Sequence, residues 1–165
     1  MPTKPVDRGM HLERRYTFVK PSELDAFEKN QLKRASSLEG SLGDLVVIER
    51  VLVNASPLDQ VVLDDPLPGA FEVIDRSIET ESRFGTSVFA DERSGYFDEP
   101  RHVERLRDRV RAVWVHLPPG VHRTTTLARV AFSGTFQAPP AQVEAMYEPD
   151  VRGRSGGAVV RIREP

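Results

Sequence analysis

Apolar and polar residues alternate along much of this chain, and a period of two predicts strands before anything else. In residues 12–19, Leu12, Arg14, Tyr16 and Phe18 share one face while Glu13, Arg15 and Thr17 take the other. That is a half-buried strand with one charge on the apolar side, a conflict that placing Arg14 near the strand's open end removes. In residues 44–54 the run Leu45-Val46-Val47-Ile48 is apolar on both faces, Glu49 and Arg50 interrupt it, and Val51-Leu52-Val53 resume it. Such a run predicts a strand covered on both sides. Residues 61–63 read as a short strand. In residues 110–117, Val110, Ala112, Trp114 and His116 alternate with Arg111, Val113, Val115 and Leu117. Residues 121–132 form a long strand whose outer half, Arg123 to Thr126, suits a partly exposed pleat. Residues 135–138 and 158–162 complete the set, the last with Ala158, Val160 and Ile162 inward.

Between these stretches the punctuation is dense. Pro57-Leu58-Asp59-Gln60 reads as a turn, and residues 64–69, with prolines at 66 and 68, as a corner that cannot continue a sheet. Pro118-Pro119-Gly120 is a second corner, and Asp108-Arg109 links residues 102–106 to the next strand. A short helix is predicted over residues 22–34, with Ser22 as N-cap, Asp25 three residues on, and Leu24, Phe27 and Gln31 at helical spacing. Residues 79–101 are polar and glycine-containing, with Phe84, Val88, Phe89, Tyr96 and Phe97 scattered through them, and predict a long excursion with little regular structure. Many short strands, turn signals roughly every ten residues and one minor helix define an all-β fold. The expected architecture is an antiparallel β-sandwich of immunoglobulin or fibronectin type with one short helical insertion. Residues 11–165 form its single domain, and residues 1–10 are a flexible arm or junction.

Residues 139–157 stand apart. Pro139 and Pro140 open the stretch, Pro149 interrupts it, and Gly153, Gly156 and Gly157 close it, so it is expected to leave regular structure and lie on a surface. Within it Val143, Met146 and Tyr147 are apolar. On the residues alone, Met146 and Tyr147 either fill the domain's own core or touch something outside it. Arg152 and Arg154 are placed to pair with Glu144 or Glu148 across the loop, an exposed interaction worth roughly 0 to 1 kcal/mol.

Composition narrows the chemistry. At 165 residues the chain buries on the order of 70% of its unfolded surface and needs no metal or disulfide to fold. With no cysteine, thiol catalysis, zinc ribbons and disulfides are excluded together. The net charge is −2 and basic residues are interleaved with acidic ones, which argues against nucleic acid and in favour of a protein partner. No apolar run reaches the roughly 18 residues of a membrane span, and residues 1–10 contain no signal-peptide core. His11, His102, His116 and His122 form no metal-binding motif, and Asp59, Asp64 and Asp65 lack calcium-loop spacing, so the aspartates are read as solvated turn carboxylates. Residues 153–157 precede a strand, whereas a nucleophile elbow or phosphate cradle leads into a helix. No catalytic residue, metal site or cofactor is expected. A small hydrolase using Asp64, Asp65 or His116 survives only if those groups meet.

A set of short motifs, in order, carries a resemblance. Gly43-Asp44-Leu45-Val46-Val47 is followed by Val62-Leu63-Asp64-Asp65-Pro66-Leu67-Pro68, Leu106-Arg107-Asp108-Arg109-Val110 and Leu117-Pro118-Pro119-Gly120. Then come Gly134-Thr135-Phe136-Gln137-Ala138-Pro139-Pro140, Glu144-Ala145-Met146-Tyr147-Glu148-Pro149 and Gly153-Arg154-Ser155. Together they resemble the C-terminal macroglobulin-like domain of bacterial alpha-2-macroglobulins. The resemblance implies a non-enzymatic macroglobulin-like β-sandwich. It would belong to a large periplasmic, lipid-anchored protease inhibitor that traps proteases through a thioester after bait cleavage. The family's Cys-Leu-Glu-Asn thioester sequence is absent here. The resemblance further implies that the segment Glu144 to Pro149 packs against a thioester domain of the same polypeptide, with Met146 and Tyr147 as the cover and Glu144, Pro149, Arg152 and Arg154 around it. Target proteases would be met only through the complete inhibitor. The alternative is a structural or adhesive β-sandwich module of a bacterial surface protein.

Overall fold

A computed structural model describes residues 3–75 and 100–165 of the chain. The expected excursion over residues 79–101 therefore falls almost wholly outside the described residues. Among the described residues thirteen strands form three sheets. In chain order they are β1 (Val6–Arg8), β2 (Met10–Val19), β3 (Glu39–Ser41), β4 (Leu45–Asn54), β5 (Leu58–Pro66), β6 (Phe71–Val73) and β7 (His102–Arg105). The remainder are β8 (Arg109–Leu117), β9 (Gly120–Val130), β10 (Gly134–Ala138), β11 (Gln142–Ala145), β12 (Glu148–Arg154) and β13 (Ala158–Arg163). The six-stranded sheet runs β1-β12-β11-β5-β8-β7, the four-stranded sheet β2-β4-β9-β6, and the small sheet β10-β13-β3. All pairings are antiparallel except β13 with β3. The β-sandwich expected from the alternation is the fold observed.

The four-stranded sheet lies across both of the others, and the core has two apolar halves. One joins Met10, Leu12 and Leu52 to Leu63, Trp114 and Val143 of the six-stranded sheet. The other joins Tyr16, Ile48 and Val130 to Val110, Ala138 and Val160, at the small sheet. Between them, each contributing strand places a polar residue inward: Arg14 on β2, Arg50 on β4, Asp65 on β5 and Thr126 on β9. Asp65 is wholly buried and takes Arg14 Nη1 at 2.6 Å and Arg50 Nε at 2.5 Å. Arg50 Nη1 donates to Thr126 Oγ1 at 2.9 Å. Arg14 also donates to the carbonyls of Pro66 and Ala138, the last residues of β5 and β10. Its guanidinium lies 5.1 Å from the Tyr16 ring centroid. The layer sits on the seam where one sheet gives way to another and supplies donors to carbonyls at two strand ends.

This layer corrects several expectations. Arg14 is mid-strand and buried, not at an open end. Asp65 is an ion-paired core residue and not a solvated turn carboxylate. The turn at 57–60 and the corner at 64–69 are largely one strand, β5, in which Gln60 adopts a positive φ of 52° and Pro66 is the terminal residue. The predicted 22–34 helix is a 3-10 turn, Pro21–Glu23, followed by α1, Leu24–Glu28. It stops because Asn30 turns into the left-handed region at φ 56°. Its cap is the Glu23 carboxylate on the Lys20 backbone N–H, not Ser22.

Part of the expected arm, from residue 6 on, is built into the sheets. β1 pairs with β12, from Val6 opposite Arg154 to Arg8 opposite Arg152, and Met10 is buried. Gly9, at φ 81°, passes the chain from the six-stranded to the four-stranded sheet. Three residues with outward charges are typical of an edge strand, and too short to show a period.

Candidate functional site

The stretch 139–157 is not an irregular loop. Pro139 and Pro140 carry the chain from β10 in the small sheet to β11 in the six-stranded sheet, and residues 155–157 carry it back from β12 to β13. Ser155 ties the two crossings together: its backbone N–H donates to the Ala141 carbonyl at 3.0 Å, and its hydroxyl accepts from the Ala141 N–H at 2.9 Å. Between the crossings β11 and β12 form a hairpin. Ala141, Val143 and Ala145 point into the core while Gln142 and Glu144 face out. The connection is Met146-Tyr147, and the Met146 N–H donates to the Gln60 carbonyl at 2.9 Å, fixing the turn to β5.

Met146 is 55% and Tyr147 79% exposed. Neither fills the domain's own core. The register slips between Ala145, opposite Glu148, and Glu144, opposite Arg152, so β12 bulges over Pro149, Asp150 and Val151. A proline without an N–H fits at such a bulge. Pro149 is exposed there, while Val151 folds inward against the core.

Glu144, Arg152 and Arg154 come together on the outer face of this hairpin. With Val6, Gln142, Val143 and Gly153 they line a cleft of about 160 Å³. The expected pairs do not form: among the described residues neither arginine makes an ion pair with Glu144 or Glu148, although Arg152 is the cross-strand partner of Glu144. Arg154 instead donates from Nη2 to the Lys4 carbonyl at 3.1 Å. Val6 is a contribution that sequence reasoning missed, because β1 was read as part of an arm.

The alternative catalytic groups stay apart. Asp64 is opposite Arg111, and His116 lies five residues further along β8, on the order of 17 Å away. His116 instead donates from Nδ1 to the Asp59 carboxylate, at 2.8 Å. Among the described residues no group of three His, Asp or Glu is placed to hold a metal ion, and no helix is long and apolar enough to cross a membrane.

The family described as "Bacterial Alpha-2-macroglobulin MG10 domain" matches residues 9–150. The chain belongs to that family. An alpha-2-macroglobulin homolog from Nostoc sp. is 30% identical to it over 124 residues, 75% of this chain and 6% of the relative. Among solved structures, trypsin-activated alpha-2-macroglobulin from Escherichia coli superposes with a TM-score of 0.72 at 21% identity, over 97% of this chain and 11% of that one. Salmonella alpha-2-macroglobulin reacted with methylamine gives 0.70 at 21% identity, over 97% and 10%. At these identities the structural likeness is one of fold. The MG10 domain thus spans about a tenth or less of the length of these relatives.

Proposed function

We propose that this MG10 domain is a non-enzymatic part of a bacterial alpha-2-macroglobulin-like protease inhibitor of the periplasm or cell envelope. In this reading the β11–β12 hairpin packs against a thioester-bearing domain of the same polypeptide and covers the thioester until bait cleavage. Neighbouring macroglobulin-like domains are its other intramolecular partners, and target proteases are met only by the complete inhibitor. The observation that carries the reading is the exposure of Met146 and Tyr147 at the end of a hairpin whose base is buried and bonded. A thioester is destroyed by water and small amines, so its cover must be apolar, close-fitting and removable. An aromatic ring beside a flexible thioether meets those needs.

In the complete inhibitor, Tyr147→Ala is expected to accelerate inactivation by methylamine. The same substitution in the isolated domain should change stability by no more than about 0.5 kcal/mol, because the ring makes so little contact there. An unchanged methylamine rate would refute the cover.

A further inference from the structure

The outer face at the β1–β12–β11 end of the six-stranded sheet holds three arginines against one carboxylate, Glu144. Arg8 is the cross-strand partner of Arg152, and Val6 that of Arg154, so Arg8, Arg152 and Arg154 stand side by side on one face. Like charges directly opposite each other across strands are destabilising. Two nearby carboxylates are engaged elsewhere, Asp7 with His11 at 2.9 Å, and Asp64 with Arg109 at 3.1 Å and Arg111 at 3.0 Å, while Glu148 and Asp150 lie on β12 at the bulged, tip end of the hairpin. Glu144 shares the face without forming an ion pair among the described residues. The Nε of Arg154 is buried with no hydrogen-bond partner among them. Arg152 and Arg154 both line the 160 Å³ cleft, whose remaining walls are mostly neutral.

We propose that this face binds an acidic segment of another protein domain, with an Asp or Glu carboxylate entering the cleft between Arg152 and Arg154. A planar guanidinium offers two parallel donors to a carboxylate, and charge-assisted bonds of that kind are about twice as strong as neutral ones. The occupant is a short acidic segment and not a polyanion. The basic cluster is small, Glu144 stands inside it, and the chain's net charge of −2 repels nucleic acid or an anionic membrane. The proposal rests on the arginine cluster, so it stands or falls separately from the thioester cover.

The test uses the 165-residue chain and a fluorescein-labelled short peptide carrying two glutamates among glycines and serines, with its glutamine counterpart as control, read by fluorescence anisotropy at about 20 mM and about 150 mM salt. Saturable binding of the acidic peptide alone is expected, weakened at least about tenfold by Arg152→Gln with Arg154→Gln. Arg161→Gln, on β13 in the small sheet, should leave it unchanged. Arg8→Gln should raise the melting temperature by about 1–3 °C, because it relieves the repulsion with Arg152. That gain also confirms that the variant folds. The proposal is overturned if no saturable binding is seen or if Arg161→Gln weakens binding equally. It is also overturned if inorganic phosphate displaces the peptide at equal concentration, or if phosphatidylserine vesicles bind and the peptide does not.

Discussion

Replacing Asp65 with asparagine isolates the buried charge layer, because the change removes a charge while nearly preserving shape. Asp65 has no solvent exposure, and its partners Arg14 and Arg50 have side chains only 3% and 2% exposed. The substitution leaves two guanidinium groups facing each other in the core with no counter-charge. Breaking a buried ion pair from one side costs about 3–5 kcal/mol. That is a large share of the roughly 5–15 kcal/mol available to a domain, and corresponds to a fall in melting temperature of about 6–20 °C. Urea unfolding read by the single tryptophan, Trp114, which is 1% exposed in the adjacent apolar cluster, reports the loss directly. A companion variant, Arg14→Met with Arg50→Met and Asp65→Leu, removes all the charges together. It should recover most of the loss, because an apolar layer of similar volume costs no desolvation. A loss below about 1 kcal/mol for Asp65→Asn, with an unchanged urea dependence, would refute the argument. If the triple variant is as unstable as the single one, the donors to the Pro66 and Ala138 carbonyls matter more than the charge.

Two further outcomes follow from local geometry. His11 is held above its ordinary pKa by the carboxylate of Asp7, with Glu13 acting second. Its protonated form therefore contributes stability that is full below about pH 6.5 and is lost as the pH rises through the raised folded value. Urea midpoints measured across that range should fall with pH, and His11→Gln should flatten this dependence. Gly153→Ala places a methyl group 2.6 Å from the backbone oxygen of Met10 and 3.2 Å from Val143 Cγ1. Since the nearer atom is backbone, the clash should cost about 1–3 kcal/mol in the same assay, and a neutral result would contradict the close approach of β12 to Met10.

What the sequence revealed divides along physical lines. The faces of β2, β8 and β13 and the two-sided burial of β4 were readable because alternation and unbroken apolar runs are properties of neighbouring residues. The buried layer was not, because its decisive contacts join Arg14 to Asp65 across 51 positions and Arg50 to Thr126 across 76. An inward arginine looks like an error in the pattern until its partner on another strand is known. The hairpin holding Met146 and Tyr147 was obscured differently. Alternation of Ala141, Val143 and Ala145 was present, but Pro149 and the glycines read as breaks, whereas they occupy a bulge and a close packing position. The cleft beside it was only half legible, since Arg152 and Arg154 were expected to find partners in Glu144 and Glu148, and β1 supplies Val6.

The Ser155 clasp on Ala141 makes the hairpin a cantilever. Both of its roots are pinned at one point, its turn is bolted to Gln60, and its inner side chains are seated in the core. A beam fixed in this way has no hinge of its own, so force applied at Tyr147 is passed to the body of the domain. The tip therefore moves only with the whole sandwich, not as a flap.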